Sequence, residues 1–134
     1  MGEHPERVRR RLVPDAAQAQ IILGSLLGGA RIEGRRGERW LRVDAAAERA
    51  SYVVWKYERL GALSDRAPIS DAERISFRTI AHPLFDDLAV LLPARRRVIV
   101  RLLTPLGLAV WLTDTGRLEL RPEVFVPLRG TQAA

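Results

Sequence analysis

The chain has 134 residues, is 47% apolar and carries a formal net charge of +6 at an isoelectric point near 11.1. It contains no cysteine, which excludes disulfides and thiolate metal sites. Its longest apolar run, around residues 21–30, is shorter than the ~20 residues of a membrane-spanning helix, and its start lacks the apolar core of a signal peptide. We therefore expect one cytoplasmic domain with no membrane partner.

The positive charge resides almost entirely in arginine, because Lys56 is the single lysine. An excess of this size favours a polyanionic partner, since every phosphate that a protein neutralises releases a condensed counterion. The alternative is that the arginine content reflects genome composition or a hot habitat.

The pattern predicts a flexible basic arm over residues 1–14, a folded domain over 15–126 and a tail over 127–134. Asp15 is a suitable N-cap for a first helix, which Gly28 and Gly29 can end. Gly34 and Gly37 punctuate two short alternating runs and predict a β-hairpin. A second helix over residues 45–60 is predicted next, with Asp44 as its cap.

Alternation over residues 74–80 predicts a strand with Ile75, Phe77 and Thr79 on one face. Pro83 then begins a helix to Leu92, for which His82 is the expected cap. The last predicted helix begins with Thr104, whose hydroxyl is the expected N-cap, and has Pro105 at its first position. Gly116 can end it.

The first and last helices have the same plan, with small residues on their apolar faces. Small side chains let two helix backbones approach closely, so these helices are predicted to pack on each other. The predicted interface residues are Gly24, Ser25, Gly28, Gly107 and Ala109.

The two helical stretches, ILGSLLGGA at residues 22–30 and TPLGLAVWLTDTG at 104–116, resemble the paired motifs of LAGLIDADG homing endonucleases. The segment from Phe77 to Leu88 resembles a further run of that family. The resemblance implies an α+β fold in which two packed motif helices lie over an antiparallel DNA-binding sheet. It covers residues from about 16 to 126, so only the first strand of a second half is present.

In that family each motif helix ends in a carboxylate, and the two carboxylates hold the Mg²⁺ that cuts DNA. The matching positions here are Gly29 and Thr115, which supply no carboxylate. The resemblance therefore implies a protein that binds double-stranded DNA but is deficient in cleavage. Asp114 lies one position earlier, a rotation of ~100°, so we expect it to point away from the site; a shifted helix end is the alternative and would make Asp114 a residual catalytic candidate. Arg97, the other residual candidate, replaces the family's catalytic-site lysine.

Arginines that alternate with apolar residues on the predicted strands are candidate DNA contacts, since an antiparallel ribbon fits the major groove. The alternative is a solvated face on which they pair with Glu33, Glu38 or Glu119. The candidates, with two from the hairpin tip, are Arg35, Arg36, Arg42, Arg74, Arg78, Arg117 and Arg121.

Several other functions stay open at this point. The resemblance also allows an active metal-dependent endonuclease, or a regulator or RNA-splicing cofactor, of intron or intein origin. A full DNA site requires a second sheet, which predicts a homodimer or a partner half. The tripeptide Asp114-Thr115-Gly116 also occurs in dimeric aspartic proteases, where two such aspartates share a proton.

Overall fold

A computed structural model describes residues 12–116. Helix α1 spans Ala16–Leu27 and begins with a capping box. The Asp15 carboxylate accepts from the Gln18 backbone N–H at 2.7 Å, and the Gln18 side chain accepts from the Asp15 N–H at 3.0 Å. Both contacts satisfy N–H groups that a helix start leaves unpaired. The predicted cap and glycine-rich end of this helix are confirmed.

The hairpin follows as strands β1 (Arg31–Glu33) and β2 (Trp40–Ala46). Gly34 and Gly37 both have positive φ, near 90°, a backbone region that favours glycine. After a short 3₁₀ turn, helix α2 spans Ala50–Leu60. Strands β3 (Ile69–Ser70) and β4 (Arg74–Arg78) complete an antiparallel sheet in the order β1-β2-β4-β3.

The predicted start of the second helix was wrong. Ala45 and Ala46 lie in β2, where they pair with Ile75 and Arg74 of β4. Sheet pairing thus overrides the helix propensity of the alanines, which is a weak preference compared with tertiary contacts. Asp44 consequently faces arginines on the sheet and caps no helix.

Three helices close the described part of the chain. Helix α3 spans Pro83–Ala94, α4 spans Arg96–Arg101 and α5 spans Pro105–Asp114. The predicted cap of α3 is confirmed, since the His82 Nδ1 accepts from the Leu84 N–H at 3.0 Å. The Thr104 hydroxyl makes no capping bond; instead the Gln20 side chain from α1 accepts the Thr104 N–H at 2.7 Å.

One face of the sheet forms the core with the helices. Leu41, Val43, Ile75 and Phe77 alternate inward and are at most 4% exposed, as their spacing predicts. They pack against α1, α2 and α3, where Phe85 is fully buried. The opposite face of the sheet is polar. The predicted α+β architecture, two crossing helices with an antiparallel sheet, is confirmed.

Candidate functional site

Helices α1 and α5 cross on their glycines. A Cβ atom added at Gly24 would overlap the backbone carbonyl oxygen of Gly107 and lie 2.9 Å from the Val110 Cβ. Ser25 is also fully buried. The backbones therefore meet more closely than larger side chains would allow, which explains the small residues Gly24 and Gly107 at this crossing.

Ala109 lies on a different side of α5 from Gly107. It lines a separate apolar groove on the outer side of α5, beside Val100, Leu108 and Leu112. Its offset of two residues from Gly107 corresponds to a rotation of about 200° around the helix. The role of Ala109 in the interface therefore stays a prediction.

The C-terminal ends of the two helices meet at Gly28 and Asp114. A Cβ atom at Gly28 would overlap the Asp114 side chain, with its Oδ2 only 2.9 Å away. The expectation that Asp114 points away from the helix ends was wrong. Because α5 reaches Asp114 as its last residue, this side chain, rather than that of Thr115, occupies the seam.

A buried lysine pairs with this carboxylate. The Lys56 Nζ lies 2.7 Å from Oδ2 and 3.0 Å from Oδ1 of Asp114, and the Tyr52 hydroxyl donates to Oδ1 at 2.7 Å. The two charged side chains are only 3% and 11% exposed. Tyr52 and Lys56 are four residues apart on α2, so they share one helix face.

Burial sets the protonation behaviour of this cluster. Removal from water lowers the pKa of Lys56, and the opposite charge of Asp114 counteracts that effect. Burial raises the pKa of Tyr52 far above its ordinary value, and the neighbouring Asp114 carboxylate raises it further. The phenol therefore stays a neutral hydrogen-bond donor through the neutral range.

We expect Tyr52 to remain protonated in the folded protein at about pH 11, although a free tyrosine ionises near pH 10. An acid with a raised folded-state pKa stabilises the fold below its unfolded pKa, and that contribution is lost as the pH rises through the folded value. Ultraviolet titration of tyrosinate in the wild type and Tyr52→Phe provides the measurement.

The two folded proteins should show the same absorbance rise up to about pH 11. In denaturant the variant should show one ionising tyrosine fewer, because the chain has two tyrosines. A smaller rise for the folded variant than for the folded wild type would contradict the burial of this phenol.

A cavity of about 230 Å³ opens at the two helix ends. Gly28, Gly29 and Ala30 form one wall, and residues 43–45 of β2 form another. The remainder is lined by Arg49, which directly precedes α2, by Tyr52, Val53 and Lys56 of α2, and by Asp114 of α5. The cavity thus joins the helix seam to the sheet.

The side chains at this cavity do not fit a divalent cation. Gly29 supplies no ligand, and the Thr115 hydroxyl donates back to the carbonyls of its own helix. Both oxygens of Asp114 already bind Lys56 or Tyr52. Within residues 12–116, no three His, Asp or Glu side chains are grouped closely enough to hold a metal ion. Hard cations such as Mg²⁺ need several oxygen ligands.

Two other sequence-based candidates have different surroundings. Arg97 is exposed on α4 and is not among the residues that line the cavity. Asp114, the candidate protease aspartate, ends a helix and is held by an ammonium group, an arrangement that leaves no oxygen to share a proton with a second aspartate.

The arginines of the sheet do lie together on its polar face. The register places Arg42 opposite Arg78 and also opposite Arg31 of β1, so three arginines form a row across three strands. Arg31 was not among the predicted DNA contacts, although it lies in the first of the two alternating runs; its pairing with Arg42 places it in this row. Arg35 and Arg36 are exposed at the hairpin tip, whereas Arg117 and Arg121 lie outside the described residues.

Acidic side chains hold these arginines in place. Arg42 Nε binds Glu33 at 2.7 Å, Arg74 binds Asp44 at 2.7 Å and Arg78 binds Asp65 at 3.3 Å. The Arg78 guanidinium also lies 4.5 Å from the centre of the Trp40 ring, within cation–π range. The pairing with Glu33 agrees with the alternative interpretation, a solvated face on which arginines pair with glutamates. It also orients Arg42 within the row. Arg42 in turn holds the pKa of Glu33 below its usual value.

Two helices that cross at their glycines beside an antiparallel sheet, with a cavity at the helix ends, define the class as a LAGLIDADG-type domain. The model of the LAGLIDADG DNA endonuclease family matches residues 19–129. The chain belongs to this family.

The chain is also similar to longer proteins of the mycobacterial group. It is 33% identical over 132 residues to "Protein RecA" of Mycolicibacterium fallax, a match that covers 90% of this chain and 30% of that protein. A second "Protein RecA", from Mycolicibacterium flavescens, is 29% identical over 113 residues, with 78% and 27% covered. The chain therefore spans less than a third of the length of these relatives. No helix within residues 12–116 is long and apolar enough to cross a membrane.

Proposed function

We propose that this protein is a cytoplasmic, cleavage-deficient member of its family that binds double-stranded DNA with the polar face of its sheet. The arginine row across β1, β2 and β4 carries the proposal. Strands lie about 4.8 Å apart, so a row over three strands spans roughly 10 Å, which suits a major groove about 12 Å wide.

The ion pairs on this face support recognition as well as attraction. Glu33 binds Arg42 and also accepts from the Trp40 indole N–H at 3.3 Å, so it fixes two neighbouring side chains. Oriented guanidinium groups can bind phosphates or guanine edges bidentately. Ion pairs at a solvated surface contribute little stability by themselves, and the side chains of Arg42 and Glu33 are still 29% and 32% exposed. An arginine of this face can therefore exchange its carboxylate for a phosphate at small cost.

The chemistry of the helix ends supports the proposed loss of cleavage. A metal-assisted hydrolysis needs a cation that activates water or stabilises the leaving oxygen. Asp114 is the single carboxylate in the helix seam among residues 12–116, and Lys56 neutralises it. The side chains at the helix ends therefore favour DNA binding without cleavage.

The assembly and origin of the domain form the remaining part of this proposal. One four-stranded sheet covers part of a DNA site, so a second sheet from a homodimer or a partner half is required for a full one. The family, together with similarity to segments of much longer proteins named RecA, supports an intron- or intein-borne origin.

The experiment is binding to linear and supercoiled duplex DNA over a range of salt, with Mg²⁺ or Mn²⁺ present. We expect salt-steep binding with the DNA recovered intact. Nicking would contradict the proposed loss of cleavage. Absence of binding even at low salt would overturn DNA recognition altogether.

The double variant Arg42→Gln/Arg78→Gln tests the sheet face. If each arginine contacts one phosphate, the slope of log K against log salt should decrease by about 2. The control is Arg95→Gln/Arg101→Gln, which removes the same charge from two exposed residues on or beside α4. Equal losses in both double variants would show that net charge, rather than this face, determines binding.

A further inference from the structure

We propose that Asp86, in the first turn of α3, is a positioning residue for DNA binding. Its carboxylate holds the tip of the β1–β2 hairpin, residues 34–39, so that Arg35 and Arg36 can contact backbone phosphates of the duplex. This inference rests on the proposed DNA binding.

The hairpin tip lies next to the arginine row of the sheet. The last pair of the β1–β2 ladder is two positions from the Arg31–Arg42 pair, a distance of about 7 Å along the strands. Arg35 and Arg36 follow in the tip and are exposed. A duplex that covers the arginine row can therefore bring a phosphate within reach of the tip.

The tip has few contacts of its own that would keep these arginines in place. Its internal bond runs from the Glu38 N–H to the Arg35 carbonyl at 2.8 Å, and Gly34 and Gly37 both have positive φ. Glycine permits many backbone conformations, so ordering two long side chains on such a turn costs conformational entropy when DNA binds. A contact that fixes the turn beforehand lowers that cost.

The Asp86 carboxylate provides such a contact. Its Oδ1 accepts from the Gly37 N–H at 2.8 Å, which belongs to the central peptide of the turn, directly after Arg36. The Arg39 Nε lies 3.8 Å from the same oxygen. Within residues 12–116, the bond to Asp86 is the only hydrogen bond from residues 34–38 to another element. One carboxylate thus connects the tip to α3.

Asp86 is itself held in a fixed position. It directly follows Phe85, which is fully buried in the core, and the side chain of His82 caps the helix start at 3.0 Å. The His82 N–H also donates to the Arg39 carbonyl at 3.0 Å, which joins the start of α3 to the residue before β2. The first turn of α3 is therefore a rigid support for the tip.

The positioning role reverses the effect that charge alone predicts. Removal of a carboxylate from a basic DNA-binding protein reduces the repulsion of phosphates and should tighten binding. Loss of the contact from Asp86 to the tip should weaken binding instead. Asp87 is exposed at the next position of the same helix, so its replacement is a matched control with the same change in charge.

The test measures duplex affinity at several salt concentrations for Asp86→Ala, Asp86→Asn and Asp87→Ala. We expect Asp86→Ala to weaken binding severalfold and to decrease the slope of log K against log salt by up to about 2, one for each tip arginine. Asp86→Asn should keep most of the affinity, because its amide oxygen can still accept from the Gly37 N–H. Asp87→Ala should bind at least as tightly as the wild type.

A mutant cycle tests whether Asp86 acts through the two arginines. In the Arg35→Gln/Arg36→Gln background, the addition of Asp86→Ala should cause no further loss of affinity, because no arginine remains at the tip to be positioned. A loss of equal size in both backgrounds would overturn the positioning role.

Thermal unfolding shows whether each variant is folded. If Asp86→Ala does not fold, Asp86→Ser takes its place, because the shorter serine side chain does not reach the Gly37 N–H. A folded variant that binds like Asp87→Ala would overturn the inference while leaving DNA binding intact. A wild-type protein that does not bind duplex DNA would overturn both proposals.

Discussion

Replacement of Lys56 by methionine is expected to lower the free energy of unfolding by about 3 to 5 kcal/mol. The Asp114 carboxylate is 11% exposed and would lose both Nζ contacts, at 2.7 and 3.0 Å. The Tyr52 hydroxyl would remain as its donor, but a neutral phenol does not compensate a buried charge. The midpoint of thermal unfolding should consequently fall by more than about 10 °C.

The double variant Lys56→Met/Asp114→Asn is the decisive comparison. It removes both charges and keeps an amide that can accept from Tyr52, so most of the lost stability should return. Arg101→Met controls for loss of a positive charge at an exposed position. If the double variant were as unstable as the single one, the loss would arise from packing around the lysine stem rather than from the unpaired carboxylate.

Gly24→Ala is expected to destabilise the protein by about 1 to 3 kcal/mol through overpacking, although alanine favours a helix by about 1 kcal/mol over glycine. The added methyl group would overlap the Gly107 carbonyl oxygen. That atom belongs to the backbone of α5 and cannot rotate away, so the two helices must separate. Chemical denaturation gives the size of the loss.

The comparison variant is Ser25→Ala, at the next position of the same helix, which should not lower the free energy of unfolding. The Ser25 side chain is fully buried and its hydroxyl has no hydrogen-bond partner, so its removal eliminates an unsatisfied polar group. We expect an unchanged or slightly higher stability.

An increase in stability on Gly24→Ala would contradict the predicted overpacking, because it would mean that the two helices can move apart without loss of stability.

Local signals in the sequence predicted most of the architecture. The capping residues Asp15 and His82 and the glycine pair of the hairpin fixed element ends, because each acts within a few residues along the chain. The start of α2 could not be predicted in the same way. Whether Ala45 extends a strand depends on Ile75, which lies thirty positions away.

The candidate site was harder to predict from the sequence for the same reason, because it depends on contacts between residues far apart along the chain. Lysine side chains are almost never fully buried unless they are paired, yet Lys56 is only 2% exposed. The one available signal was a single lysine four residues after a tyrosine on a helix with buried neighbours. Its partner Asp114 is 58 positions away, and only the crossing angle and end of α5 determine that they meet.

Gln20 joins the beginning of α5 to the middle of α1. Its amide accepts from the Thr104 N–H at 2.7 Å and donates to the Leu102 carbonyl at 3.0 Å, across more than eighty residues of chain. The bond from the Thr104 N–H to Gln20 therefore forms late in folding, because the long loop between the two residues must close first. High contact order of this kind slows folding. Because the bonds from Gln20 join the two helices, the stability of α5 depends on that of α1, so the two helices should open to hydrogen exchange as one cooperative unit.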